Sequence, residues 1–286
     1  MGGRAKHILI TGASGGIGLA SAHALAAAGA RLTLLCRNGE KAAAVVDTIA
    51  RNYPGEPPSI LLADFTDLDS VRNAARDFLE RGDGLDVLLN NAGIVCTRRR
   101  ETVDGFEQTF AVNHLAPFLL TGMLLPRLLE RPGSRIVNVA SAAHAFCRGM
   151  QFEDLQSREK YRTFSVYGRS KLANILFTRE LSVRLSGRET TVNALHPGAV
   201  ATALGAQNGG LLSTLAPFLL RPFFKTPEQG AATSLYLCQD DAVASVSGRY
   251  FVNCREVEPK PWARDDVAAR ELWDVSEQLC GFHYPV

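Results

Sequence analysis

The 286-residue chain is short of most features that mark a special compartment or a macromolecular partner. Lys and Arg number 31 against 29 Asp and Glu, a net charge of +2, so no field of one sign is available to hold nucleic acid or an anionic membrane. The one basic run, Arg98-Arg99-Arg100, reads as a solvated loop. Six cysteines (Cys36, Cys96, Cys147, Cys238, Cys254 and Cys280) form no C-x-x-C pair, and none stands at zinc-ligand spacing near two histidines. A disulfide scaffold and a zinc site are thereby excluded. The thiols read as small core residues of a reducing, intracellular compartment, and no metal is expected. Asn-x-Ser/Thr acceptors are missing, and Met1–Lys6 carries no apolar signal region before the strand-like His7–Thr11, which predicts a cytoplasmic protein. Long hydrophobic runs are also missing. Leu115–Leu129 is interrupted by Pro117 and Pro126, and Leu211–Leu220 is half the ~20 residues a membrane span requires. No transmembrane segment is expected; peripheral contact with lipid through Leu211, Leu212, Leu215, Phe218 and Leu219 stays open.

What is present is a large apolar fraction, 46%, in short runs that alternate with helix-length amphipathic stretches. Strands are predicted at His7–Thr11, Arg31–Cys36, Ser59–Ala63, Leu85–Asn90, Arg135–Ala140, Thr191–Leu195 and Gly248–Val252. Helices are predicted over Gly16–Ala28, Glu40–Arg51, Asp67–Arg81, Asp104–Glu130, Phe164–Leu185 and Asp265–Leu279, with another opened at Thr226 by a capping box. Continuously apolar strands alternating with helices describe a parallel sheet covered on both faces. No repeat, low-complexity tract or linker divides the chain. The expected architecture is one α/β domain over 1–286: a Rossmann-type doubly wound parallel sheet of about seven strands with helices on both faces.

The first strand runs into Thr11-Gly12-Ala13-Ser14-Gly15-Gly16-Ile17-Gly18, and a helix follows at once. Glycines let a backbone turn tightly and approach a pyrophosphate, while the helix N-terminus offers unpaired N–H groups to the anion. In the first strand–turn–helix of an alternating chain this spacing predicts nucleotide binding. Residues 12–16 also fit G-x-S-x-G, the nucleophile elbow of α/β-hydrolases, with His196 as a partner. That reading puts the elbow on the wrong strand and leaves Gly18 unexplained. Ser157-Arg158-Glu159-Lys160 fits S-x-x-K in a charged loop without the motifs that accompany it, and carries nothing. At the end of the second strand, Cys36-Arg37-Asn38 lacks the carboxylate that holds a ribose 2′-hydroxyl in NAD binders. Arg37 suits a 2′-phosphate instead, so NADP(H) is expected over NAD(H).

Tyr167 and Lys171 stand four residues apart on one helix face, where the ammonium favours the phenolate. Alone, such a pair is common. Here it accompanies Ser141 after the fifth strand, Asn90-Asn91-Ala92-Gly93 after the fourth, Asn113, Asp64 and Pro197-Gly198. Together with Thr11–Gly18, and taken in chain order, the set resembles the short-chain dehydrogenase/reductase family from about residue 6 to 255. The resemblance implies Tyr167 as general acid/base, Lys171 to lower its pKa and hold the nicotinamide ribose, Ser141 to orient the substrate oxygen, and Asn113 to hold a water linking Lys171 to solvent. It further implies cofactor contacts from Gly12, Ser14, Gly15, Gly16, Ile17 and Gly18. The others are Arg37, Asp64, Phe65, Asn91, Ala92, Gly93, Pro197, Gly198 and Thr202.

Cys36-Arg37-Asn38, Leu172-Ala173-Asn174, a lengthened loop between Ser141 and Tyr167, and the tail Ala263-Arg264-Asp265…Leu272-Trp273…Ser276 are similar to the retinol dehydrogenase-like branch. This implies an NADP(H)-dependent oxidoreductase acting on a lipophilic aldehyde or alcohol, retinal-like or other. Ketone or steroid reduction on the same site is the alternative. Membrane-bound members carry an N-terminal apolar anchor that Met1–Lys6 does not show, which weighs against a retinoid. The apolar stretch 199–226, with Gly209-Gly210 as hinge, is expected to be a substrate lid, and 258–286 a helical extension. His114, His144 and His196 lie near the proposed site; local hydrogen bonding is expected, with His144 a candidate for substrate contact. A catalytically silent nucleotide sensor is the rival from another class, and the intact Asn113, Ser141, Tyr167 and Lys171 speak against it.

Overall fold

The computed structural model describes residues 4–200 and 225–286. Eight strands form one sheet in the order β3-β2-β1-β4-β5-β6-β7-β8. They are β1 His7–Thr11, β2 Arg31–Cys36, β3 Ser59–Leu62, β4 Val87–Asn90, β5 Arg135–Val139, β6 Thr191–His196, β7 Tyr250–Val252 and β8 Arg255–Glu256. All neighbours are parallel except the last pair, in which two-residue β8 turns back on β7 and ends the sheet. It is the Rossmann-type α/β fold, with this short edge strand added to the seven expected. The predicted order of elements holds, with ends displaced by a few residues.

Side chains alternate between the two faces with the period of two that a strand imposes. Leu9, Leu88, Ile136 and Val192 point into one apolar layer, and Ile8, Ile10, Val87, Leu89, Val137 and Leu195 into the other. The second layer is closed by α1 Gly16–Ala27, α2 Gly39–Asn52 and α6 Pro227–Gln239. The first is closed by α3 Leu68–Glu80, α4 Gln108–Leu129, α5 Thr163–Arg184 and α7 Asp266–Cys280. The C-terminal helix is tied in by aromatic packing: Trp273 lies 5.2 Å from Phe118 and 4.4 Å from Tyr284, whose hydroxyl donates to the Phe118 carbonyl.

Local signals place the ends of several helices. At α6, Thr226 Oγ1 accepts from Gln229 N while Gln229 Oε1 accepts from Thr226 N, the capping box expected there. The helix predicted from Asp104 begins instead at Gln108. Both Glu107 carboxylate oxygens cap it, on Thr109 N and Phe110 N, while Asp104 reaches away to cap Leu68 N. Helix α4 is long and apolar enough to cross a membrane, but 89% of its apolar window is buried inside the fold, which makes it a core helix. It runs through both prolines. Pro117 has no N–H for the Asn113 carbonyl, and between Ala111 and Leu115 the ladder slips to a π-turn, with Ala116 N on the Ala111 carbonyl.

The strand order reverses between β1 and β4, and the crevice beyond their carboxyl ends is where such sheets take ligands. The glycine turn and Asn90–Gly93 lie there.

Candidate active site

At the glycine turn, Gly12 and Gly16 hold φ values of +70° and +53°, which side chains disfavour, and Gly12 N bonds to the Leu35 carbonyl. A Cβ on Gly18 would stand 2.3 Å from Gly12 O and 2.5 Å from Asn91 Nδ2, so this position lets α1 approach β1 and β4. Gly15 is exposed and extended, its missing Cβ faces open space, and no side chain caps α1. The first N–H groups of α1 therefore lie beside room for an anion. Burial raises the pKa of the Cys36 thiol at the end of β2, and Ser14 from the turn opposes that rise.

Around this turn the other expected cofactor residues assemble. Thr11 Oγ1 accepts from Asn91 N and Ala92 N, and Asn91 Nδ2 donates to Thr11 O, which locks β1 to β4. Thr11 was not among the expected contacts, although a threonine ending the strand before the glycines was visible. Asp64 Oδ1 accepts from Thr66 N and Oγ1, and Phe65 is buried beside it. Arg37 is exposed just past β2, with no ion pair among the described residues. Pro197 and Gly198 follow β6, and Lys225 N donates to Ala199 O, so the chain re-enters the described structure where it leaves. Thr202 and nearly all of the expected lid 199–226 lie outside the described residues. So do Leu211, Leu212, Leu215, Phe218 and Leu219.

Ser141 lies just beyond β5 and caps a 3₁₀ turn, Ala142–Phe146, by accepting from Ala143 N at 3.1 Å. Its hydroxyl also faces the Tyr167 phenol and favours the ionised form of that phenol. Lys171, one turn along α5, is 3% exposed; its Nζ donates to the Val139 carbonyl at 2.9 Å and lies 5.9 Å from the Tyr167 ring centroid. Burial lowers Lys171 to about 8 and raises Tyr167 to about 12, against which Ser141 pulls the phenol down. Asn113 is fully buried in the π-turn: Oδ1 accepts from Ile94 N, and Nδ2 donates to Ile94 O and Ser170 Oγ. A Cβ on Gly93 would stand 3.3 Å from both Lys171 Nζ and Asn113 Oδ1, so this glycine keeps a space open beside the ammonium. Open space at Gly15, the uncapped α1 terminus and the gap at Gly93 fit a dinucleotide laid across the crevice.

The structure brings Asn113, Ser141, Tyr167 and Lys171 together at the carboxyl end of the sheet, and no metal-ligand cluster exists among the described residues. All six cysteines are free, and five of them are buried. Arg99 is no idle member of a solvated run, since it donates to Glu101 and to the Gln156 carbonyl and pins the loop before Tyr167. His144 uses both ring nitrogens within the protein, which leaves neither for a substrate. The family model for short chain dehydrogenases matches residues 6–209.

The chain belongs to the short-chain dehydrogenase family.

As a short-chain dehydrogenase it is an oxidoreductase. It is 43% identical to human retinol dehydrogenase 14 over 96% of this chain and 86% of that one. Human retinol dehydrogenase 13 is 41% identical over 98% and 86%. Among solved structures, an uncharacterised protein from Mycobacterium paratuberculosis superposes with a TM-score of 0.78 at 34% identity, covering 98% of this chain and 95% of that one. A short chain dehydrogenase from Burkholderia cenocepacia in complex with NADP superposes with a TM-score of 0.67 at 30% identity, covering 86% and 95%.

Proposed function

We propose that the protein transfers a hydride between NADP(H) and the carbonyl or alcohol carbon of an apolar aldehyde or primary alcohol. The observation that carries this is the phenol of Tyr167 between the Ser141 hydroxyl and the buried Lys171 ammonium, at the edge of the glycine-lined crevice. A nicotinamide bound there supplies the hydride. In carbonyl reduction Ser141 donates a hydrogen bond to the substrate oxygen and Tyr167 passes that oxygen its proton. Lys171, cationic at neutral pH, favours the phenolate that results, and the Val139 carbonyl holds the ammonium in place. Asn113 bolts the Ile94 backbone and Ser170 around this group; Pro117 leaves its main-chain carbonyl without an i+4 donor, as an acceptor for a water beside Lys171. Gly12, Ser14, Gly15, Gly16, Ile17 and Gly18 would hold the pyrophosphate. Asp64 and Phe65 would receive the adenine, Asn91, Ala92 and Gly93 the ribose side, and Pro197 and Gly198, with Thr202 outside the described residues, the carboxamide.

An apolar substrate is supported by the retinol dehydrogenase relatives and by the leucine-rich composition of 199–226. NADPH consumption with butanal, octanal, decanal and retinal tests it: KM is expected to fall as the aldehyde lengthens, and equal KM values along the series refute an apolar pocket. Ketone and steroid substrates in the same assay separate the alternative reading.

Preference for the 2′-phosphate is assigned to Arg37, supported by the absence of a carboxylate at the end of β2 and by the NADP complex of the Burkholderia relative. One charge-assisted bond at an exposed site is worth about 1.5 kcal/mol, so Arg37→Ala is expected to weaken NADPH binding about tenfold and leave NADH binding unchanged. An unaltered ratio of the two dissociation constants removes Arg37 from that role.

A further inference from the structure

Ser141 is held on a turn that owes its position to a segment more than a hundred residues away. Its carbonyl accepts from His144 Nδ1 at 2.7 Å and from His144 N at 3.2 Å. On the far side of the imidazole, Lys260 N–H donates to Nε2 at 3.3 Å. A backbone amide only donates, so Nε2 carries the lone pair and Nδ1 the proton, which fixes a neutral ring that donates to Ser141. The Trp262 indole N–H donates to the His144 carbonyl at 2.9 Å, and the Tyr250 ring meets the imidazole edge-on at 5.3 Å. The opposite side of the turn presses on α5, because a Cβ on Gly168, the residue after Tyr167, would stand 2.6 Å from the Ala143 carbonyl. The turn is thus gripped between the helix that bears the phenol and the chain that leads into α7.

We propose that His144 is a positioning residue: by bridging the Ser141 carbonyl to the Lys260 amide, with Trp262 as second anchor, it makes the C-terminal segment set where the Ser141 hydroxyl stands relative to the Tyr167 phenol. The inference rests on the acid/base role given above to Tyr167. The charged and titratable groups facing the imidazole are Lys260 from the segment before α7, Tyr250 from β7 and His196 from β6, with Lys225 beyond His196. Burial, with the Lys260 charge, holds His144 below the usual histidine value, so it stays neutral through the working range. Facing Tyr167 are Ser141 and, on its own helix, Lys171.

The discriminating readout is the pH profile of kcat/KM for oxidation of decanol by NADP⁺, whose rise follows ionisation of the phenol. A Ser141 hydroxyl displaced from the phenol stabilises the phenolate less, so His144→Phe is expected to move that rise upward by roughly one pH unit and to lower kcat about tenfold. Its NADPH dissociation constant stays unchanged. His144→Asn, which restores a donor at the Nδ1 position, returns the rise towards the parent value. Trp262→Phe, which keeps an aromatic side chain of smaller size and loses the indole N–H, gives a smaller shift in the same direction and serves if His144→Phe fails to fold. Profiles of both Phe variants that superimpose on the parent after scaling for active enzyme overturn the proposal, since lost structure alone scales the plateau without moving the ionisation. If the parent protein shows no nicotinamide-linked turnover with any aldehyde or alcohol, the reading of Tyr167 fails first and this inference fails with it; parent turnover with unshifted variants sinks this inference alone.

Discussion

Tyr167→Phe is expected to lower turnover by about 10²–10⁴-fold, the usual contribution of a positioned general acid or base, with NADPH binding changed less than about twofold. The substitution keeps the ring against the Lys171 side chain and removes only the hydroxyl that Ser141 meets. Single-turnover rates with decanal, beside a fluorescence titration of NADPH, measure both halves of the expectation. The result also separates the two classes of function: a nucleotide sensor keeps its output without the phenol, whereas a dehydrogenase does not. The direction of the pH dependence follows from the same environment. Burial raises Tyr167 to about 12, so at neutral pH the phenol is protonated and ready to act as an acid in carbonyl reduction. Reduction is therefore expected to be flat through neutrality and to fall as the phenol ionises. Oxidation needs the phenolate and is expected to climb with pH. Lys171, lowered to about 8, begins to lose the charge that favours the phenolate above that value, which limits how far the climb continues. A variant with parental turnover would move the proton transfer to another group.

The layered sheet was legible because its signals are local and repeated. Each apolar run of β1, β2, β4, β5 and β6 is buried on both faces, and Gly29, at φ +80°, stands just past the end of α1 in the left-handed conformation that glycine favours there. The glycine turn, Asn90–Gly93 and Ser141 were legible because they sit at strand ends, where periodicity stops and chemistry-bearing side chains stand out, and Tyr167 and Lys171 because they stand four residues apart on one helix face. What escaped were features created by long-range pairing or by a missing donor. The π-turn at Asn113 arises from Pro117, four residues on, which in the sequence looked only like an interruption of an apolar run. Two carboxylates compete for one helix start, and it is Glu107 that wins, because Asp104 is taken by Leu68 N across the fold. For His144, Lys260 and Trp262 stand 116 and 118 residues away, a distance over which no sequence pattern is read. Thr11 is the intermediate case: its place in the glycine motif was visible, its bonds to Asn91 and Ala92 were not.

Gly18→Ala tests the crevice from the opposite side, by geometry alone. Gly18 is helical, with no positive φ to protect, so the cost of a methyl group is purely steric. Its Cβ would lie 2.3 Å from Gly12 O, 2.9 Å from Gly12 C and 2.5 Å from Asn91 Nδ2, and the first two are backbone atoms of the turn itself. Neither can swing aside as the end of a flexible side chain would. Relief requires α1 to move away from β1, which carries its N-terminal N–H groups out of the crevice and loosens the Asn91–Thr11 bond that joins β1 to β4. Overpacking of this kind costs ~1–3 kcal/mol. At 1.4 kcal/mol per factor of ten, a cost borne by the bound state corresponds to dinucleotide binding weaker by roughly 10- to 100-fold. Part of it falls on the fold as well, so the Tm is expected to drop. Gly15→Ala is the control for stability, because a Cβ there meets nothing within 4 Å and its φ of −171° suits any residue; its Tm is expected to match the parent. Calorimetry of NADPH binding and thermal melts of the two variants decide the matter. A Gly18→Ala protein that binds NADPH as tightly as the parent would place the dinucleotide somewhere other than the β1–β4 crevice.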